Sequence, residues 1–277
     1  DIGARRIDLA RLSLNIALVL SLYLVVASAI AGVKGRDDLM RSARNGVHIM
    51  MALLTLASVA LIYALVTRDF SLEYTASYNS RDLPLFYAVT AFWAGQKGSL
   101  LLWAWCLSLF SSIVLIRRRD ENRELMPFVI SVLMAALAFF LILLAFATDP
   151  FERLPIPAID GQGLNPLLQN PGMIIHPPTL YLGYVGFSIP FAYAIAALIT
   201  GRLGNSWIKA SRRWTLFSWY FLGMGILLGA NWAYVELGWG GYWAWDPVEN
   251  ASLMPWLTST AFLHSVMIQE KKDMLKV

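Results

Sequence analysis

Apolar residues along this chain are gathered into long runs that polar connections separate. A helix needs roughly 20 residues to cross about 30 Å of hydrocarbon, and seven runs reach that length. Backbone polar groups inside lipid must be satisfied within the segment, so each run is predicted to be a helix. The predicted spans cover residues 12–33, 46–66, 98–116, 125–147, 179–200, 214–232 and 251–269. The pattern therefore predicts an all-α polytopic membrane protein, with residues 1–277 forming a single integral membrane domain of about seven transmembrane helices and ordered outer-face loops.

The composition excludes a soluble domain. Hydrophobic residues make up 58% of the 277 residues and charged residues only 14%, whereas roughly a quarter of the residues in a typical globular protein are charged. The single cysteine, Cys106, excludes a disulfide framework or a cysteine-based zinc site within this chain.

Basic residues set the predicted orientation. Of the 22 Lys and Arg residues, 15 follow the first, third, fifth and seventh spans. The positive-inside rule places these segments in the cytoplasm or matrix and the amino terminus outside. The net charge of +4 then reflects topology and need not indicate nucleic-acid binding. The three outer loops, residues 67–97, 148–178 and 233–250, are longer and rich in Trp, Tyr, Pro and Gly, so function is predicted there.

The third outer loop carries the densest aromatic segment of the chain. Its adjacent glycines, Gly240 and Gly241, prevent a stable helix. If the residues after them run extended, Trp243 and Trp245 point to one face, and the loop offers a flat apolar surface that suits a planar ligand. An interfacial belt of Trp and Tyr is the alternative interpretation, and both stay open. The aromatic residues are Trp239, Tyr242, Trp243 and Trp245.

The residues after these aromatics predict the start of a helix. Asp246 precedes Pro247 and stands three residues before Glu249. This order is typical of an N-cap, a proline at the first helical position and a capping-box carboxylate. Asp246 is therefore expected to fix the direction in which the aromatic loop leaves the seventh span.

Two of the three histidines are candidate metal ligands. A residue before proline is pushed out of the helical region, so His176 is expected to be extended above the fifth span, with its ring in the outer loop layer. A surface or capping role is the alternative. His264 lies within the seventh span, where an ionisable group is a functional candidate; it is either a metal ligand or a neutral imidazole bonded to a neighbouring helix. His48 is expected to be an interfacial residue.

Cations for an anionic ligand would have to come from outside the aromatic loop. That loop has no Lys or Arg of its own and carries Glu236, Asp246 and Glu249. The hypothesis is that the charges of a planar anionic ligand are met by one of three basic residues near the same face, Arg81, Lys97 or Arg153.

Four segments of the chain together form a recognisable pattern: NSRDLPLFY (79–87), GQKGSLLLW (95–103), HPPTLYLGY (176–184) and WGGYWAWDPVENASLMPW (239–256). They resemble the CcmF family, the heme lyase subunits of cytochrome c maturation, which carry the tryptophan-rich WWD signature of heme-handling proteins. Tyr242 stands where many relatives have Trp. Family members are considerably longer, so the chain resembles an amino-terminal portion or a split subunit whose missing C-terminal half supplies further ligands.

The resemblance implies a function in heme transport. The family receives heme from the chaperone CcmE and presents it, reduced, with CcmH and possibly CcmI, to apocytochrome c for thioether ligation. The implied location is the bacterial inner (cytoplasmic) membrane with the heme site facing the periplasm, or the mitochondrial inner membrane. A heme lyase, or cytochrome c synthetase, activity is implied for the assembly, and no catalytic residue is predicted in this chain.

The resemblance also implies residue roles. The WWD loop contacts heme, here through Trp239, Trp243, Trp245 and Asp246. The histidine before the double proline, His176, is an external heme iron ligand, and His264 binds the iron of a resident heme b.

Two other functions stay open from the residues alone. Intramembrane histidines also occur in transporters and channels, and an aromatic loop can bind a partner in a purely structural subunit. Heme iron takes histidine nitrogen ligands, but covalent attachment needs a Cys-X-X-Cys-His segment, which this sequence lacks.

Overall fold

The computed structural model describes residues 2–117, 123–238 and 240–272. In that part the regular structure is helical, apart from one isolated antiparallel bridge between Leu72 and Arg153. The α-helices are α1 (Ile2–Lys34), α2 (Asp37–Thr67), α3 (Glu73–Tyr78), α4 (Leu85–Thr90), α5 (Gln96–Arg117), α6 (Met126–Phe146), α7 (Pro171–Gly186), α8 (Ser188–Thr200), α9 (Ser206–Glu236) and α10 (Pro247–Lys272). Short 3-10 turns cover Ala91–Trp93 and Pro166–Leu168. The predicted all-α class is confirmed.

Six helical segments of the described chain are long and apolar enough to cross a membrane, one fewer than predicted. They are Arg5–Lys34, Asp37–Thr67, Gln96–Ile116, Met126–Phe146, Pro171–Thr200 and Ser206–Glu236. The seventh predicted span is a helix, α10, but it is not among the six. Its apolar residues are interrupted by polar ones, including the run Thr258, Ser259 and Thr260 and the imidazole of His264.

The chain divides into two compact units, and each is described by itself. Unit 1, Asp1–Asn170, packs α1 against α2 and α6, and α5 against α2 and α6. Two outer loops are joined within this unit, because Glu73 N donates to Glu152 O at 3.0 Å and Ala158 N donates to Phe70 O at 3.2 Å. These backbone bonds hold the loops beside the ends of the long helices.

Unit 2, Pro171–Val277, contains α7 to α10. Helices α7 and α9 approach with their backbones in contact, which small residues allow. A Cβ on Gly183 would lie 2.3 Å from Leu222 N, and a Cβ on Gly225 would lie 2.6 Å from Leu180 Cα. Gly225 and Gly183 therefore let α7 and α9 pack closely. The expectation of a single membrane domain over residues 1–277 stays a prediction.

Candidate functional site

His176 lies inside helix α7, so the prediction that it is extended in the outer loop layer is wrong. Pro177 and Pro178 both lie within the helix. Proline lacks the N–H that an interior turn needs, but apolar spanning helices tolerate it when neighbouring groups satisfy the freed carbonyls. Packing of α7 on α9 therefore outweighs the local preference of a residue before proline. The imidazole is half-buried against α9.

The tautomer of His176 is fixed by its hydrogen bond. Nδ1 lies 2.8 Å from the carbonyl oxygen of Gly225. A carbonyl oxygen can only accept, so Nδ1 carries the proton and donates it. The lone pair of the neutral ring is then on Nε2, for which the described residues offer no hydrogen-bond partner. A ring held through Nδ1–H to a backbone carbonyl, with Nε2 left over, is the usual state of a histidine metal ligand.

Two further residues of α9 contact the His176 ring, and the sequence interpretation did not single them out for this site. A Cβ on Gly229 would lie 2.5 Å from His176 Cε1. The Trp232 ring stacks on the imidazole with centroids 6.0 Å apart and planes inclined by 28°. Gly225, Gly229 and Trp232 follow the spacing of one helix face. The sequence therefore showed that these three residues share a helix face, but it did not show that this face packs against His176 of α7.

The described residues of the aromatic loop between Glu236 and Pro247 are non-helical, as its glycines predict, and Gly240 has a φ of 71°. Trp239 lies outside the described residues. Trp245 has a φ of 59°, so the chain turns there instead of running extended. The rings of Trp243 and Trp245 meet edge to face at 5.8 Å and 85°. The prediction that these two indoles form a flat surface on one face is therefore wrong.

The remaining aromatic contacts of the loop pair it with α9. Tyr242 stacks on Tyr234 with centroids 4.3 Å apart and planes inclined by 7°, and 56% of Tyr242 stays exposed. Trp245 is 67% exposed. In contrast, the Nε1–H of Trp243 is buried and has no acceptor among the described residues, and the same holds for Trp232. A buried donor without an acceptor is costly, so these two indoles are sites where a ligand acceptor would fit.

Asp246 and Glu249 form the predicted capping box. Glu249 N donates to Asp246 Oδ1 at 2.7 Å, and Asp246 N donates to Glu249 Oε2 at 3.3 Å. Glu249 Oε2 also accepts from Ala244 N at 2.8 Å, and helix α10 begins at Pro247. The two carboxylates therefore hold the end of the aromatic loop on the first turn of α10.

His264 is exposed on α10 and forms a hydrogen bond within its own helix. The sequence alternative to a ligand role was a hydrogen bond to a neighbouring helix, which is not the bond observed. Its Nδ1 lies 2.8 Å from Thr260 O, which again fixes the proton on Nδ1 and leaves Nε2 for a ligand. Trp219 Nε1 donates to Thr260 Oγ1 at 2.7 Å. A cavity of about 310 Å³ lies close by between α9 and α10, walled by Trp219, Leu227, Trp256 and other apolar residues, and neither histidine is among its lining residues.

The third histidine has a structural contact within unit 1. His48 Nδ1 lies 2.6 Å from Ser112 Oγ, a hydroxyl that can donate or accept, so this bond leaves the tautomer open. The bond joins α2 to α5.

The three candidate cations differ in what they contact. Lys97 Nζ lies 2.8 Å from Glu73 Oε2 and 2.7 Å from Glu152 Oε2, and the hydrogen bond and charge of Lys97 lower the pKa of Glu152. Arg153 pairs with Asp8 at 2.8 Å. Arg81 donates from Nε and Nη2 to Ile159 O at 3.1 and 2.9 Å, and no carboxylate of the described chain lies within ion-pair distance of its exposed guanidinium.

Comparisons with known proteins give one consistent result. Residues 93–276 match a family model described as cytochrome C assembly protein. The chain is 43% identical over 270 residues to cytochrome c-type biogenesis protein CcmF of Haemophilus influenzae, covering 97% of this chain and 42% of that protein. For CcmF of Escherichia coli the identity is 44% over 266 residues, covering 96% and 40%. A solved structure of a cytochrome c heme lyase CcmF is similar with a TM-score of 0.85 at 36% identity, over 98% of this chain and 43% of that one. The chain spans less than half the length of these relatives.

Proposed function

Since the chain belongs to the cytochrome c assembly protein family, as its resemblance to CcmF indicated, we propose that it handles heme as a substrate in cytochrome c biogenesis. It takes heme from the chaperone CcmE and presents it, reduced, to apocytochrome c, together with CcmH and possibly CcmI. The two relatives compared above are bacterial proteins. The proposed location is therefore the bacterial inner membrane with the heme site facing the periplasm, or the mitochondrial inner membrane in an organellar relative.

The observation that carries this proposal is the state of His176. Its Nδ1–H is held by the carbonyl of Gly225, and Nε2 has no partner in the described part of the chain. The hydrogen bond selects the tautomer whose Nε2 can coordinate metal, and it raises the basicity of that nitrogen. We assign His176 as the external ligand of the iron of the transferred heme.

The aromatic loop supplies the surroundings of that heme. The buried, unpaired Nε1–H of Trp243 fits an acceptor on the porphyrin edge, and the exposed ring of Trp245 offers apolar surface. Gly240 and Gly241 keep side chains away from the backbone of this loop. Tyr242 and Asp246 shape the loop through their stacking and capping contacts. A direct contact from Trp239 stays a prediction.

Arg81 is the cation that we propose for a carboxylate of the ligand. Its guanidinium donates to the carbonyl oxygen of Ile159 and forms no ion pair with a carboxylate of the described chain, while the Arg81 backbone N–H donates to Asp160 Oδ1. Lys97, which has two carboxylate partners, is better explained as the centre of an ion cluster that joins two loops.

A resident heme b is proposed at His264. The ring could hold the iron of this heme, because its Nδ1–H is donated to Thr260 O, which leaves the lone pair on Nε2, and the side chain is exposed. A bound heme b would supply electrons that keep the substrate iron reduced. Further ligands of each iron are expected from the part of the family architecture that this chain does not span. The chain's own contribution is to bind and orient, since the described residues form no acid–base pair at either histidine.

The proposal is tested by absorption spectroscopy of the chain purified from cells that are replete in heme, alone and with its relatives' remaining half. We expect a heme Soret band. His176→Ala and His264→Ala should each remove a different part of it, because the two rings lie on separate helices. His48→Ala is the matched control, since this histidine bonds Ser112 and should leave the spectrum unchanged. A complete assembly without heme, or a spectrum that responds only to His48→Ala, would refute the proposal.

A further inference from the structure

We propose that Gly229 and Trp232 are positioning residues for His176, which fix the plane of its imidazole and the direction of Nε2. This inference rests on the proposed function, because the iron is what the positioned nitrogen would meet. Neither residue contacts the iron itself in this proposal. Both act through the ring of His176, from the face of α9 that also carries the Gly225 carbonyl.

Gly229 determines how close the imidazole comes to α9. A Cβ at this position would lie 2.5 Å from Cε1, 2.9 Å from Nδ1 and 3.2 Å from Nε2 of His176. All three distances are shorter than or near the limit of an ordinary van der Waals contact, so any side chain there displaces the ring. Because the Gly225 carbonyl is one helical turn away on the same face, the displaced ring would also lose the 2.8 Å bond that sets its tautomer.

Trp232 closes the site one turn further along α9. Its ring stacks on the imidazole at 6.0 Å and 28°, which restricts rotation of His176 about its last side-chain bond. The indole can reach this place because residue 172 of α7 is glycine. A Cβ on Gly172 would lie 2.8 Å from Trp232 Cδ1. The imidazole is thus held by a hydrogen bond, by a glycine backbone and by a stacked ring, all from α9.

A consequence is that the tautomer of His176 depends on Gly229 even when no heme is bound. The chain contains only three histidines, so uniform ¹⁵N labelling of histidine gives three pairs of ring-nitrogen signals, which His→Ala variants assign. Protonated and unprotonated ring nitrogens are well separated in ¹⁵N NMR. In the heme-free chain in lipid nanodiscs, we expect His176 to be protonated on Nδ1. In Gly229→Ala, this tautomer should no longer dominate.

Gly223→Ala is the matched control for the glycine. It lies on the same helix and gains the same helix propensity. A Cβ on Gly223 would also lie too close to an aromatic ring, at 2.6 Å from Nε1 of the Trp256 indole, but His176 is not among its nearest contacts. For the tryptophan, Trp232→Phe keeps a stacked ring and Trp232→Leu removes it. We expect Gly223→Ala and Trp232→Phe to keep the Nδ1–H tautomer, and Trp232→Leu to broaden or shift the His176 signals.

Heme titration of the same samples completes the test. Loss of a contact that orients a metal ligand typically costs about 10–100-fold in affinity. Gly229→Ala should therefore raise the dissociation constant of the His176-dependent heme by that factor, while Gly223→Ala leaves it unchanged. The inference is overturned if Gly229→Ala keeps both the tautomer and the affinity, or if Gly223→Ala loses as much. If Gly229→Ala changes the tautomer but the wild-type chain binds no heme, the positioning of the imidazole is supported and only the proposed function is refuted.

Discussion

Two explanations of the role of Asp246 in the aromatic loop predict opposite results from one substitution. If the residue acts through its helix cap, an uncharged side chain that can still cap should preserve the loop. If its charge contacts the heme directly, as the family resemblance implies, removing the charge should be as harmful as removing the side chain. Asp246→Asn and Asp246→Ala separate these roles, because Asn is nearly as good an N-cap as Asp and Ala is a poor one.

The magnitude follows from the bonds at this turn. Ala removes the 2.7 Å acceptor of Glu249 N, while the bonds from Ala244 N and Asp246 N to Glu249 Oε2 can persist. Losing an N-cap side chain costs about 1 kcal/mol, which corresponds to about a fivefold increase in the opening of the first turn of α10. The cap retained by Asp246→Asn should limit the increase to less than about twofold.

Hydrogen exchange at the Glu249 amide, resolved to single residues by mass spectrometry, measures this opening directly. Heme content of the same nanodisc samples, measured from the Soret band, reports the functional effect. Glu249→Gln is the control, because Gln also serves in a capping box. We expect heme content to follow exchange, with Asp246→Asn close to wild type. If Asp246→Asn loses heme as strongly as Asp246→Ala while its exchange is unchanged, the capping explanation is refuted.

Two further predictions concern unit 1. Lys97→Met should lower stability by about 1 kcal/mol at neutral pH, seen as a lower midpoint of thermal unfolding. Lys97 lowers the pKa of Glu152, so the stabilisation by this ion pair is fully present above the ordinary Glu pKa of about 4.3. It should disappear as the pH falls through the lowered pKa. A destabilisation by Lys97→Met that persists in acid would contradict the ion cluster. Asn79→Ala should cost about 1–3 kcal/mol, because the fully buried amide donates to Leu65 O at 2.6 Å at the end of α2; unchanged exchange of the 67–97 loop would contradict this.

The helices and the cap could be predicted because their signals are local. Long apolar runs define the spans, and an Asp-Pro-X-Glu sequence at 246–249 carries all the groups of the capping box. The glycine pair after α9 likewise predicts the end of a helix. In each case the residues that make the bonds lie within one turn of each other, so no tertiary contact is needed to interpret them.

The errors arise where a tertiary contact outweighs a local preference. His176 precedes proline but stays helical, because the glycine-lined packing of α7 on α9 holds the segment. Trp245 adopts a left-handed backbone conformation, for which its own side chain gives no signal, and its ring meets that of Trp243 edge to face. The partners of Lys97 could not be found either, since Glu152 is more than fifty residues away in the sequence.

The tautomer of each histidine distinguishes the two proposed iron ligands from His48 better than the position of the residue along its helix does. His176 and His264 each donate Nδ1–H to a backbone carbonyl, an acceptor that cannot reverse its role, so each ring has a fixed, available Nε2. His48 bonds a serine hydroxyl, which can turn to suit either tautomer. A histidine coordinates a metal through a nitrogen that carries a lone pair, and a hydrogen bond from the other ring nitrogen selects which one that is. The backbone carbonyls of Gly225 and Thr260 meet that requirement, and substitution of a side chain cannot remove either acceptor. The geometry of the two proposed iron ligands is therefore set by the helices themselves, and it is sensitive to changes such as Gly229→Ala that move a ring away from its carbonyl.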